Sequence, residues 1–129
     1  MAETLLIEPA RLGAAVAAIV RGTGSLPAEA EAVATNLVEA NLTGHDSHGV
    51  GMVPRYIEAF LEGGLKPNAK VQVVHDAGAM IRLSGGQGYG QVIGRQAMEI
   101  GLERVRRTGC CVVALGQSHH LGRIGAWAE

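Results

Sequence analysis

The chain has 129 residues, enough for one ordinary domain with a buried core. Hydrophobic residues make up 47% and charged residues 18%, with a formal net charge of −1, which excludes the electrostatic footprint of a nucleic-acid binder or an anionic-membrane binder. One Phe, two Tyr and one Trp leave no base-stacking platform.

In chain order, the opening residues carry neither a basic n-region nor a long apolar run, so they do not read as a signal peptide. No apolar stretch reaches membrane-spanning length. Pro9 suits the first turn of a helix running to about Arg21, with Gly22 and Gly24 as its stop. A second helix starts near Pro27, and Ala30, Val33, Leu37 and Ala40 recur at the spacing of one packed face. It ends near Thr43 and Gly44, which makes the sequon at Asn41 a helix end. A third helix is expected from Val50 to Glu62, with Pro54 in its first turn and Gly63-Gly64 as terminator. Short β-like runs follow at Val71–His75 and Ala79–Leu83, joined by a turn at Asp76-Ala77-Gly78. The glycines of GGQGYG at 85–90 are expected to form a turn and let the next helix pack closely. That helix runs from about Gly90 to Arg107, with Ile93, Ala97, Ile100, Gly101 and Val105 as its apolar stripe. Cys110 to Leu115 reads as a buried strand carrying reduced, buried thiols, and a cytoplasmic location fits such thiols. The pattern predicts a mixed α/β chain: a helical segment over 1–66, then the start of an α/β domain over 67–129.

Chemistry concentrates in two places. GHDSHGVG at 44–51 places His45 and His48 three apart, around an acid and a hydroxyl. Asp46, Ser47 and His48 are consecutive, so their side chains diverge and cannot form a catalytic triad by themselves. His45 and His48 could share a helical face as metal ligands, with His120 adding a third, but no HExxH or CxxC supports this. GGQGYG meets neither the dinucleotide nor the P-loop fingerprint. A helix mouth uses every residue of the motif. Asp46 or Ser47 would cap the following helix, Gly49 would relieve crowding, and the open N–H groups would favour a substrate carboxylate. A histidine held there would be kept neutral and able to exchange a proton. The plain alternative is a cap with both histidines on the surface.

The second place is Gly116–Gly125, which follows the apolar run as a strand-to-helix loop, where sheet proteins commonly bind ligands. Gly122 would allow close backbone approach, and Arg123 could pair with a phosphate. His119 and His120 are adjacent, so at most one is expected to do chemistry. An ordinary loop with a solvated Arg123 is the alternative.

Asn41 to Gly49, followed by Pro54, Tyr56 and Gly63-Gly64-Leu65, together with Ser118 to Glu129, resembles the type 2 malate/L-lactate dehydrogenase family. The resemblance covers essentially the whole chain. It implies that family's own α/β fold, distinct from the Rossmann fold, and reversible hydride transfer between NAD or NADP and a 2-hydroxy or 2-oxo acid. It also implies a homodimer with active sites near the subunit interface. By the same resemblance, His48 and His120 are both candidates for the acid/base, and Ser47 helps hold substrate. His48, Gly122, Arg123 and Ile124 contact the dinucleotide, with no metal involved.

Many relatives carry an arginine four residues after the first of these histidines to grip the substrate carboxylate; here Met52 stands there, as in the family's hydroxycarboxylate branch. Arg55 is nearby in sequence but at another angle on the helix. Family members run to more than twice this length, and the last residues read as the opening of a helix. The expectation is therefore an N-terminal part, inactive alone. The rivals are a metal-dependent hydrolase built on His45, His48 and His120, and a non-catalytic dimerisation piece.

Overall fold

A computed structural model describes residues 5–128. The first half is helical. Helix α1 spans Pro9–Gly22, with the Glu8 carboxylate accepting from the Arg11 amide at 3.0 Å, so that a side chain caps a helix whose first residue is proline. Helix α2 spans Pro27–Leu42, and a short 3-10 turn at Val50–Met52 runs into α3, Val53–Leu61. The expected packed face of α2 holds: Ala30, Val33, Leu37 and Ala40 are fully buried. Ala30, Val33 and Leu37 form one apolar cluster with Val16, Ala17 and Val20 of α1 and Val53, Tyr56 and Ala59 of α3. Each large side chain removed from water there stabilises the fold by about 1.5–3 kcal/mol.

The second half is a three-stranded sheet with one helix. β1 (Gln72–Ala77) pairs antiparallel with β2 (Met80–Gly88), and β2 pairs parallel with β3 (Val112–Ser118) after crossing over through α4 (Gly90–Thr108). The hairpin turn falls at Gly78 and Ala79, one residue later than the sequence suggests, with Gly78 at φ +73° and the Asp76 carboxylate accepting from its amide at 3.0 Å. Ile81 and Leu83 of β2 and Ala97 of α4 form a second cluster, against which Ile100, Val113 and Leu115 pack.

Three expectations are corrected here. The glycines at 85 and 88 lie within β2, not in a turn after it. The pairing slips between Ser84 and Gly88, and Gln87 takes a positive φ of 63°, so the segment is an irregular stretch of strand. The close packing does hold, since a Cβ at Gly88 would come within 2.9 Å of Ile93 at the start of α4. β3 begins two residues later than the apolar run and is not buried. Its residues alternate between exposed and half-buried, because α4 covers one face of the sheet and leaves the other open. Cys110 is accordingly exposed and Cys111 half-buried, both as free thiols. Arg106 and Arg107 lie in the last turn of α4, while Arg104 reaches back to the hairpin.

The two halves meet at Tyr89, which precedes α4 yet is buried in the helical cluster, with its hydroxyl 3.2 Å from the Thr23 hydroxyl after α1. This contact holds the start of α4 against the helical half, and beside it lie the residues singled out for chemistry.

Candidate functional site

The GHDSHG segment is shaped from behind by Asn41 in the last turn of α2. Its amide nitrogen donates to the Asp46 carboxylate at 2.6 Å, and its oxygen accepts from the Val50 amide at 2.8 Å. The carboxamide fills the space that a Cβ at Gly49 would need, so the close approach requires glycine. Between these anchors Asp46–His48 forms a 3-10 turn of its own. The helix-mouth expectation is therefore corrected. Neither Asp46 nor Ser47 caps α3, whose N-terminal flank carries no side-chain cap. The Val50 amide, which opens the 3-10 turn leading into α3, donates instead to Asn41 of α2. What the turn does present is the His48 ring, with its Nδ1 2.9 Å from the Ser47 hydroxyl.

His120 comes from the other end of the chain and arrives beside it. The His48 and His120 rings are stacked, with centroids 5.4 Å apart and planes inclined by 29°. Their route together is set by the start of α4. A Cβ at Gly90 would collide with the His120 carbonyl, and the His119 amide donates to the Gly88 carbonyl at 3.0 Å, so the loop after β3 lies directly on that helix end.

Under the pair sits Tyr56 of α3, 1% exposed. Its hydroxyl is 2.8 Å from His120 Nδ1 and accepts from the Gln91 side-chain nitrogen at 2.7 Å. With the amide donating to the phenol oxygen, the phenol proton turns to His120 Nδ1, leaving the ring's own proton on Nε2. Burial pushes the Tyr56 hydroxyl up to about 12, so it keeps that proton throughout the ordinary pH range. Both imidazoles thus use Nδ1 within the protein and, among the described residues, neither Nε2 has an intramolecular partner. Burial, and then the nearby His48, lower the pKa of His120. His119 is lowered first by burial, then by His120 and Arg55. Its ring meets Tyr56 edge-on, with centroids 5.4 Å apart, so both adjacent histidines touch one phenol from different sides.

The other expected residues fall as follows. Gly122 is buried at φ +75°, and what approaches it is the Asn36 side chain of α2. Arg123 is half-buried and Ile124 is 63% exposed, at the start of a 3-10 turn Ile124–Trp127. Met52 packs against the helical core, and Arg55 on the exposed side of α3 pairs with Glu58 at 3.4 Å and Glu62 at 3.7 Å. Arg55 is thus engaged with the two glutamates on that exposed face. The metal arrangement fails on geometry. His45 Nδ1 turns back to the Thr43 carbonyl at 3.0 Å, and among the described residues no three His, Cys, Asp or Glu side chains converge to hold an ion.

Tyr56 and Gln91 are the residues that reading the sequence for chemistry passed over. Tyr56 was visible only as part of a family pattern, although a buried phenol always needs a partner for its hydroxyl. Nothing in the order of residues places Gln91 beside it.

A helical layer joined to a small mixed sheet, with two histidines from distant segments stacked over a buried tyrosine, defines a mixed α/β protein. The sequence profile of the family described as malate/L-lactate dehydrogenase matches residues 7–129. Hydroxycarboxylate dehydrogenase B of Escherichia coli is 46% identical over 114 residues, covering 88% of this chain and 32% of that protein. An L-lactate dehydrogenase of Cupriavidus necator is 39% identical over 105 residues, covering 81% of this chain and 30% of its own length. The solved structure of sulfolactate dehydrogenase from Methanocaldococcus jannaschii superposes with a TM-score of 0.88 at 29% identity, covering 95% of this chain and 36% of that one. The chain belongs to the malate/L-lactate dehydrogenase family. It spans about a third of the length of the curated relatives it matches.

Proposed function

We propose that this chain carries the proton-handling half of an NAD- or NADP-dependent 2-hydroxy-acid dehydrogenase. The observation that carries the reading is the stacked pair His48 and His120, each fixed through Nδ1 and each with Nε2 left over for a substrate oxygen. Interconverting a 2-hydroxy and a 2-oxo acid moves one hydride and one proton. A nicotinamide, when bound, supplies or takes the hydride. The protein must then hold a proton at the substrate oxygen, and an imidazole whose lowered pKa favours its neutral form is suited to take that proton from the hydroxyl. Ser47, hydrogen-bonded to His48, is placed to steady that ring and to meet the substrate.

The residues present suit the nicotinamide end of the dinucleotide better than its phosphates. The stacked rings of His48 and His120 offer a surface for a flat ring, with Arg123 and the exposed Ile124 following in the same loop. The start of α4 is covered by residues 120 and 121 and cannot cradle a pyrophosphate. We therefore place the phosphate-binding residues in the part of the relatives' length that this chain does not match, and expect the 129 residues alone to be inactive.

Two measurements test this. In a full-length polypeptide carrying this segment, His48→Ala and His120→Ala each lower kcat for NAD(P)H-dependent reduction of 2-oxo acids by about 10²-fold or more, the usual contribution of a general acid or base. Rates near normal for both would end the assignment. In the 129-residue chain, fluorescence titration with NADH gives no saturation in the micromolar range; tight binding would overturn the division of labour.

A further inference from the structure

Gln91 is buried, with only 3% of its surface exposed, and its carboxamide makes a single hydrogen bond among the described residues. Its nitrogen donates to Tyr56, while its oxygen, also buried, has no partner among the described residues. Leaving such an acceptor unpaired costs about 1–3 kcal/mol. Oxygen and nitrogen of an amide are nearly the same size, so half a turn of the carboxamide exchanges them without disturbing the packing around α4.

We propose that Gln91 and Tyr56 are positioning residues which together set whether the outward Nε2 of His120 presents a proton or a lone pair. With the Gln91 nitrogen donating to Tyr56, the phenol is free to donate to His120 Nδ1, and a neutral ring accepting there carries its proton on Nε2. With the carboxamide turned, the direction reverses. His120 Nδ1–H donates to the phenol oxygen, the phenol donates to the Gln91 oxygen, and Nε2 is bare.

The reversed chain also suits the imidazolium, because that ion has a proton on both nitrogens and needs an acceptor at Nδ1. The use made of this switch rests on the dehydrogenase reading above. In reduction, a reduced nicotinamide gives hydride to the carbonyl carbon and the imidazolium gives its Nε2 proton to the oxygen, leaving the Nδ1–H ring. In oxidation, bare Nε2 takes the hydroxyl proton as hydride leaves. Tyr56 keeps its proton in every state and never becomes a phenolate.

The groups facing His120 are His48 from the 3-10 turn, Tyr56 from α3, Gln91 from α4 and His119 beside it, with Arg55 on the His119 side.

The test is nitrogen-15 NMR of the chain through a pH titration, with no cofactor present. In the wild type, the Gln91 side-chain amide resonances shift with the same midpoint as the His120 ring. In Tyr56→Phe, His120 still titrates while the Gln91 resonances stay flat. Flat Gln91 resonances in the wild type, or equal movement in both proteins, would overturn the switch. Gln91→Glu is the second variant. It leaves only acceptors beside the phenol, so the neutral His120 ring becomes the Nδ1–H tautomer and its proton affinity rises about tenfold, one pH unit. A ring that keeps its Nε2 proton in that variant contradicts the proposal. Because none of these signals depends on turnover, an absent dehydrogenase activity defeats the functional reading alone, and a static Gln91 defeats the switch alone.

Discussion

The Asn41 carboxamide and the α-carbon of Gly49 are pressed together, on ground that any side chain at position 49 would need. That contact connects the end of α2 to the turn bearing Ser47 and His48, since the same carboxamide holds Asp46 on one side and Val50 on the other. Gly49→Ala should expel Asn41, break both hydrogen bonds and free the turn, at a cost of about 2 kcal/mol. Asn41→Ala should cost about 1–2 kcal/mol by loss of the same bonds. Urea unfolding gives the energies. Loss of the ring-current shifts between His48 and His120 would show that the turn has moved; unchanged shifts in Gly49→Ala would mean that Asn41 does not position the histidine.

Gly90 plays the matching part for the second histidine. A methyl group there would meet the His120 carbonyl and Leu121, so Gly90→Ala should push the loop off α4 and pull His120 from Tyr56, costing about 1–3 kcal/mol. Gly51→Ala is the control: a Cβ there meets nothing within 4 Å, and it should fall within about 0.5 kcal/mol of wild type. Equal stability of the two variants would refute the proposed contact.

Much of the fold could be read in advance because the signals are local. Pro9 and Pro27 start α1 and α2. The periodic apolar residues of α2, and of α4 as far as Gly101, mark buried faces, whereas Val105 at the end of the expected stripe is 37% exposed. Where the expectations failed, a distant partner decided. The Val50 amide donates to Asn41 of α2, not to Asp46 or Ser47. Gly85 and Gly88 read as turn residues, yet they serve a strand crowded by Ile93. Val112 to Leu115 reads as buried, but α4 covers only one face. The site divides in the same way. His48 and His120 are visible as motifs, whereas Tyr56 reaches His120 across 64 residues of chain and Gln91 reaches Tyr56 across 35.

The β1–β2 hairpin is tied to α4 by a two-pronged ion pair. Arg104 reaches both Asp76 oxygens, at 2.7 and 2.6 Å, and the Gly78 carbonyl at 3.1 Å. The hydrogen bonds from Arg104 hold the Asp76 carboxyl below its ordinary value of 3.8, so its contribution is present above that value and is lost as pH falls through the lowered one. Asp76 is 46% exposed, which keeps the effect small and sensitive to salt. Asp76→Asn should lower Tm at low ionic strength, and the difference should shrink as sodium chloride approaches about 1 M. A difference indifferent to salt would mean that packing, not charge, is at stake.

His119 and His120 make stability depend on pH at a higher range. Burial is the first cause of the lowered pKa in each, followed by His120 for His119 and by His48 for His120. Below the ordinary value of 6.5 the unfolded chain binds protons that the folded chain resists, so acidification favours unfolding. Stability should be level above about pH 7.5 and fall as pH drops from the ordinary value toward the lowered ones. Asp76 cannot cause this fall, since its own window lies below 3.8. His120→Gln keeps a side chain able to accept from Tyr56 and cannot titrate, so urea midpoints between about pH 5 and 8 should vary less in it than in the wild type. If the two profiles ran parallel, His120 would not be the group that resists protonation.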